Sequence, residues 1–173
     1  WTETDDPSMI EQARAACASA RNLNPNLAVV NAALGRLHFA TGQLVDAEEA
    51  FRSALQSDPS NQDAQRGLGD VLQRQNRLAE AEVALRRNLD LHPGNAGAHV
   101  ALGNFMFYTG RYADAAQQYE FAVALDPDNM NGYANLGATQ MLSGAFAKAI
   151  ATLHRSLEIE PKQITWSNLG LLH

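Results

Sequence analysis

Residues 95–129 read NAGAHVALGNFMFYTGRYADAAQQYEFAVALDPDN. An asparagine opens the stretch, apolar residues follow at helical spacing, Gly110 interrupts them, a second series starts at Tyr112, and Pro127 closes it. The same marks return along the whole chain. Proline falls at Pro25, Pro59, Pro93, Pro127 and Pro161, always 34 residues apart. Glycine keeps that interval at Gly35, Gly69, Gly103 and Gly137, and alanine keeps it at Ala47, Ala81, Ala115 and Ala149. Three residue types in one register make an internal repeat, which decides the fold before any single segment is read.

Each unit spells two helices. Asn61, Asn95 and Asn129 follow the prolines as N-caps, whose side chains accept a free backbone N–H. A first apolar segment carries Leu34, Leu68, Leu102 or Leu136 just before its glycine. Gly42, Asn76, Gly110 and Gly144 mark the turn, being residues that tolerate positive φ after a helix end. The second segment places Leu44, Ala47, Phe51, Ala54 and Leu55, or their equivalents, on one stripe of a 3.6-residue period. Proline then ends it, having no N–H to give. A mid-helix glycine costs about 1 kcal/mol relative to alanine. Its recurrence predicts a close helix crossing, with Ala47, Ala81, Ala115 and Ala149 expected on the other side.

Composition agrees with a packed, soluble protein. The chain has 173 residues, 46% hydrophobic and 18% charged, with 13 basic and 19 acidic side chains for a net charge of −6. An acidic balance argues against a nucleic-acid module. The single cysteine, Cys17, excludes an internal disulfide and a multi-cysteine zinc site, and suits a reducing, cytoplasmic compartment. No apolar run approaches the ~20 residues of a membrane span.

These residues resemble the tetratricopeptide repeat (TPR), a helix–turn–helix unit of 34 residues. Leu102, Gly103, Gly110, Tyr112, Ala115, Tyr119, Ala122 and Pro127 carry its pattern in the third unit. The first aromatic position of that pattern departs: it holds Asn31, Gln65 and His99, and only Tyr133 and Trp166 fit. The resemblance implies an all-α, right-handed superhelical solenoid of antiparallel helix pairs forming a single domain over 1–173. Four full repeats are expected at 28–61, 62–95, 96–129 and 130–163. A half-repeat over 8–27 has Ala13, Cys17 and Ala20 in second-helix slots, and a partial first helix covers 164–173. Both ends read as cut from a longer array, with self-association through exposed end helices the expected consequence.

The family implies a concave groove lined by the first helices, and a role as a scaffold that binds a peptide segment of a partner protein. Two zones of groove positions follow. The first is a charged patch of Arg36, Asp63, Arg66, Asp70 and Arg74. It reads either as a solvated face with Arg66–Asp70 and Asp70–Arg74 pairs at i,i+4, or as a guanidinium cluster for acidic groups. The second is Asn104, Asn135 and Asn168 with Phe107 and Tyr108 beside them, while Phe39, which shares Phe107's repeat position, and Asn131 are further groove positions. Asparagines there would satisfy the backbone of an extended peptide, and aromatics would anchor it. Asn104 and Asn135 match the paired asparagines of the carboxylate-clamp type. Val100 stands where that type has a lysine, so capture of a free C-terminus in that manner is not expected.

Chemistry is absent from the pattern. His38, His92, His99, His154 and His173 show no metal-binding spacing, and residues 126–132 lack the glycine and glutamate of a calcium loop. No catalytic residue, metal or cofactor is assigned, and no enzyme activity is expected within the chain. Two further readings stay open: a structural spacer or self-association element of a larger signalling or secretion protein, and a substrate-presenting arm of an enzyme whose catalytic domain lies elsewhere.

Overall fold

The computed structural model describes residues 27–159, together with helical positions Ser8, Glu11, Gln12, Ala15, Ala16, Ser19 and Ala20. Between Leu27 and Ile159 the chain runs through eight helices: α1 (Ala28–Ala40), α2 (Leu44–Ser57), α3 (Gln62–Arg74), α4 (Leu78–Leu91), α5 (Ala96–Tyr108), α6 (Tyr112–Leu125), α7 (Met130–Leu142) and α8 (Phe146–Ile159). No strand occurs among the described residues. The partial helix expected over 164–173, with Trp166 and Asn168, lies outside the described residues, as do Ala13 and Cys17 of the half-repeat expected over 8–27.

The chain divides into two compact units, Trp1–Leu91 and His92–His173. In the first, α1 packs on α2 and α3 on α4, while α3 also meets α2 and α1. In the second, α5 packs on α6, α7 on α8, and α6 on α7. Between Leu27 and Ile159, each unit therefore contributes two stacked helical hairpins.

The local signals act as the sequence predicts. Asn61, Asn95 and Asn129 accept the backbone N–H of Ala64, Ala98 and Gly132 at 2.9–3.1 Å, satisfying donors that a helix start leaves free. Gly42, Gly110 and Gly144 take φ of 76°, 78° and 79°, and Asn76 takes 61° in the same turn slot. This left-handed backbone is open to glycine and tolerated by asparagine.

The helix crossing differs from the expectation in one respect. A Cβ on Gly35 would lie 2.6 Å from the Phe51 ring, one on Gly69 2.6 Å from Leu85, one on Gly103 2.8 Å from Tyr119, and one on Gly137 2.6 Å from Leu153. The partners of the glycines are thus the large residues one turn beyond the alanines. Ala47, Ala81, Ala115 and Ala149 are fully buried, but the bulky side chains, not they, occupy the space the glycines vacate. Phe51, 1% exposed, also reaches Gly67 with its far edge, so a single ring locks α1, α2 and α3 together. Burying a phenylalanine completely is worth about 1.5–3 kcal/mol, more than the helix propensity the glycines give up.

Candidate functional site

In the first unit the candidate charged residues lie on the first helices, α1 and α3. Asp63, Arg66, Asp70 and Arg74 recur at i+3 and i+4 along α3 and share one side of it. Gln65, Leu68 and Leu72 occupy the opposite side. Arg36 of α1 donates from Nη1 to Asp63 Oδ2 at 2.7 Å, and Arg66 donates from Nη2 to Asp63 Oδ1 at 3.2 Å. One carboxylate thus serves two guanidiniums. All three side chains are about half exposed, so each pair contributes no more than about 1 kcal/mol.

The i,i+4 pairs expected from sequence are not the ones formed. Arg66 turns back to Asp63, and Asp70 forms no ion pair with Arg66 or Arg74. A three-residue spacing to an acid already held by Arg36 wins over a four-residue spacing to an acid that is sunk into the helix packing. Burial pushes the Asp70 carboxyl up to about 6, against a smaller opposing pull from Arg66. Arg74 lies instead over the Phe39 ring, its guanidinium carbon 5.4 Å from the ring centroid. Such a contact is worth about 0.5–1 kcal/mol at an exposed site and leaves the planar N–H edges open. Sequence named both residues without linking them.

In the second unit Asn104 is exposed on α5, and its Oδ1 accepts the Tyr119 hydroxyl at 2.7 Å. Tyr119 is almost wholly buried, and that burial pushes its phenol above its usual range. The bond fixes the carboxamide and directs its N–H₂ group as the remaining donor. Tyr108 is 61% exposed. Phe107, half-buried, packs edge-on against Tyr112 with centroids 5.4 Å apart. Asn131 is exposed on α7, whereas Asn135 is half-buried and its backbone carbonyl accepts the Thr139 hydroxyl at 2.7 Å. No hydrogen bond joins Asn104 to Asn135, and Asn168 lies outside the described residues. Among the described candidate asparagines, Asn104 and Asn131 are exposed and Asn135 is not.

Two of the histidines, His99 and His38, are held by neighbouring side chains, whereas His154 is exposed on α8. His99 is buried, with Nδ1 at 3.0 Å from Gln118 Oε1, Nε2 at 3.2 Å from the Pro93 carbonyl, and its ring against Phe121. His38 Nδ1 lies 2.9 Å from Gln43 Oε1. Among the described residues no three His, Cys, Asp or Glu side chains converge on a metal position, and no helix is long and apolar enough to cross a membrane. Sequence reasoning missed Asn88, which stands in the slot of Ala54 and Ala122. It is 1% exposed and its Oδ1 has no hydrogen-bond partner.

Comparison with known proteins matches two models described as tetratricopeptide repeat, over residues 32–96 and 106–170. Among curated proteins none is detectably similar in sequence. Similar solved structures include MamA, 22% identical, covering 91% of this chain and 92% of that one with a TM-score of 0.73. YrrB, described as a TPR protein with an unusual peptide-binding site, is 22% identical over 95% of this chain and 85% of its own, with a TM-score of 0.70. PilF of Pseudomonas aeruginosa is 21% identical over 89% of this chain and 70% of its own, with a TM-score of 0.78. At these identities the likeness concerns the fold, an all-α solenoid.

Proposed function

Because the chain belongs to the tetratricopeptide repeat family, whose members serve as protein-interaction scaffolds, we propose that it holds a peptide segment of a partner on its first-helix faces. The observation that carries this reading is the Arg74–Phe39 pair. An exposed guanidinium with no acid partner rests on an aromatic ring, on the same side of α3 as Arg66 and across from Arg36 of α1. A partner's carboxylate gains a charge-assisted, bidentate bond from such a group, and the ring beneath offers apolar contact. Arg36 and Arg66 share Asp63, which keeps their long side chains ordered and lowers the entropy lost when a ligand binds.

The second unit contributes in a different way. Tyr119 pre-sets Asn104 so that its N–H₂ group donates to a peptide carbonyl, and Tyr108 supplies an exposed ring. Asn131 adds a donor and an acceptor from α7. YrrB, similar in fold, is itself described as having a peptide-binding site, which favours the same reading here. A flexible ligand loses conformational freedom on binding, so micromolar affinity is the expectation for one face.

The experiment is selection of peptides from a random library on the intact chain, followed by affinity measurement on variants. Peptides rich in acidic residues are expected, with Arg74→Ala and Phe39→Ala each weakening them about tenfold at unchanged helicity. Recovered peptides indifferent to Arg74, Phe39, Asn104 and Tyr108 alike would refute the assignment.

A further inference from the structure

The repeats share an internal contact that one of them lacks. In each, the residue in the first aromatic position of the family pattern faces a second-helix residue 22 positions later. In the first repeat Asn31 Nδ2 donates to Ser53 Oγ at 3.1 Å. In the third His99 stacks on Phe121 with centroids 5.3 Å apart. In the fourth the Tyr133 hydroxyl lies near enough to the Arg155 guanidinium to favour its charged form, beside Glu158 at 3.0 Å. In the second the corresponding residues are Gln65 and Arg87, and they do not meet. Gln65 is pulled down to the Pro59 carbonyl, 3.2 Å from its Nε2. Arg87 is exposed and has neither a hydrogen bond nor an ion pair.

A cleft of about 570 Å³ opens where that contact is missing. It lies between α2 and α4 on the side of α3 opposite Asp63 and Asp70. Leu55, Leu68, Leu72, Val83 and Ala84 form its walls, with Gln65 at the floor and Arg87 at the rim. Val83 is 68% exposed there. The other rim arginine, Arg52, is already held by Glu48 and stands 3.8 Å from Glu80. The volume falls within the range of ligand sites, and the lining is apolar with one unspent cation.

We infer that this cleft receives a tyrosine side chain from a partner peptide, the ring lying on Leu68, Leu72 and Val83 and the phenol oxygen accepting from Arg87. The chain supplies the template for such a fit. Tyr133 and Arg155 occupy in the fourth repeat the slots of Gln65 and Arg87, so the partner's ring would complete in trans a contact that the fourth repeat makes internally. The unpaired guanidinium selects a ring bearing an acceptor over a purely apolar one. This site is separate from the first-helix face, and either can fail without the other.

The test is an NMR titration of the whole chain with N-acetyl-tyrosinamide, and with the phenylalanine and leucine analogues as controls. Shifts of the Leu68, Leu72 and Val83 methyl groups are expected with the tyrosine probe. The tyrosine probe should bind about fivefold more tightly than the phenylalanine analogue, as one net hydrogen bond implies. Arg87→Gln should erase that preference. Gln65→Tyr should raise the thermal midpoint by filling the cleft from within and should abolish the methyl shifts. The inference is overturned if the leucine analogue binds equally well, or if no shifts appear in these methyl groups. It is equally overturned if Gln65→Tyr lowers the midpoint or leaves binding intact, or if the methyl groups shift with protein concentration alone, which would mean a second copy fills the cleft.

Discussion

Tyr119 and Asn104 are joined by a 2.7 Å hydrogen bond that runs from the buried interior of the second unit to its exposed α5 face. The ring of the same tyrosine fills the space left by Gly103. One residue therefore sets the helix crossing with its ring and orients a candidate binding group with its hydroxyl.

Tyr119→Phe separates these roles. The ring remains and the crossing is preserved, while the lost bond costs about 1 kcal/mol in chemical denaturation. The Asn104 side-chain N–H₂ resonances should move toward those of a freely rotating asparagine, and peptides that use Asn104 should weaken.

Gly35→Ala and Gly103→Ala run against ordinary helix propensity. Alanine normally stabilises an exposed helix interior by about 1 kcal/mol relative to glycine. Here the added methyl would meet Phe51 at 2.6 Å or Tyr119 at 2.8 Å, so each variant should lose about 1–3 kcal/mol in denaturant midpoints.

Asn88→Ala should stabilise the chain by about 1 kcal/mol. The substitution removes a buried oxygen with no partner and restores the residue found at Ala54 and Ala122. Thermal or denaturant unfolding measures it directly.

Asp70 gives a pH dependence of defined sign. Its carboxyl rises from the unfolded value of 3.8 to about 6 in the folded chain, so the native state holds this proton more tightly. Its contribution to stability is greatest below the unfolded value and falls as pH rises through the folded one. Asp70→Asn should therefore exceed the parent chain in stability at neutral pH, by no more than about 3 kcal/mol. The gap should close as pH is lowered from about 6 to about 4 in paired denaturation curves.

The repeat register, caps and turns were legible because each rests on a residue whose backbone chemistry is local. Asn61, Asn95 and Asn129 cap, and Gly42, Asn76, Gly110 and Gly144 turn, whatever surrounds them. Partner choice was not local. Arg66 selects Asp63 over Asp70 because Arg36, on another helix, already holds that acid in place. The stacking of Arg74 on Phe39, the anchoring of Asn104 by Tyr119 and the separation of Gln65 from Arg87 likewise depend on residues far apart in sequence. A 34-residue period shows which slots face each other and leaves open which occupants bond.

Backbone hydrogen–deuterium exchange of the intact chain, with and without a peptide recovered by selection, tests the binding-face assignment most directly. Added protection is expected in α1 and α3, in α5 and α7, or in both pairs, with Arg74→Ala or Tyr108→Ala reducing it. Protection confined to α2, α4, α6 and α8 would contradict that assignment.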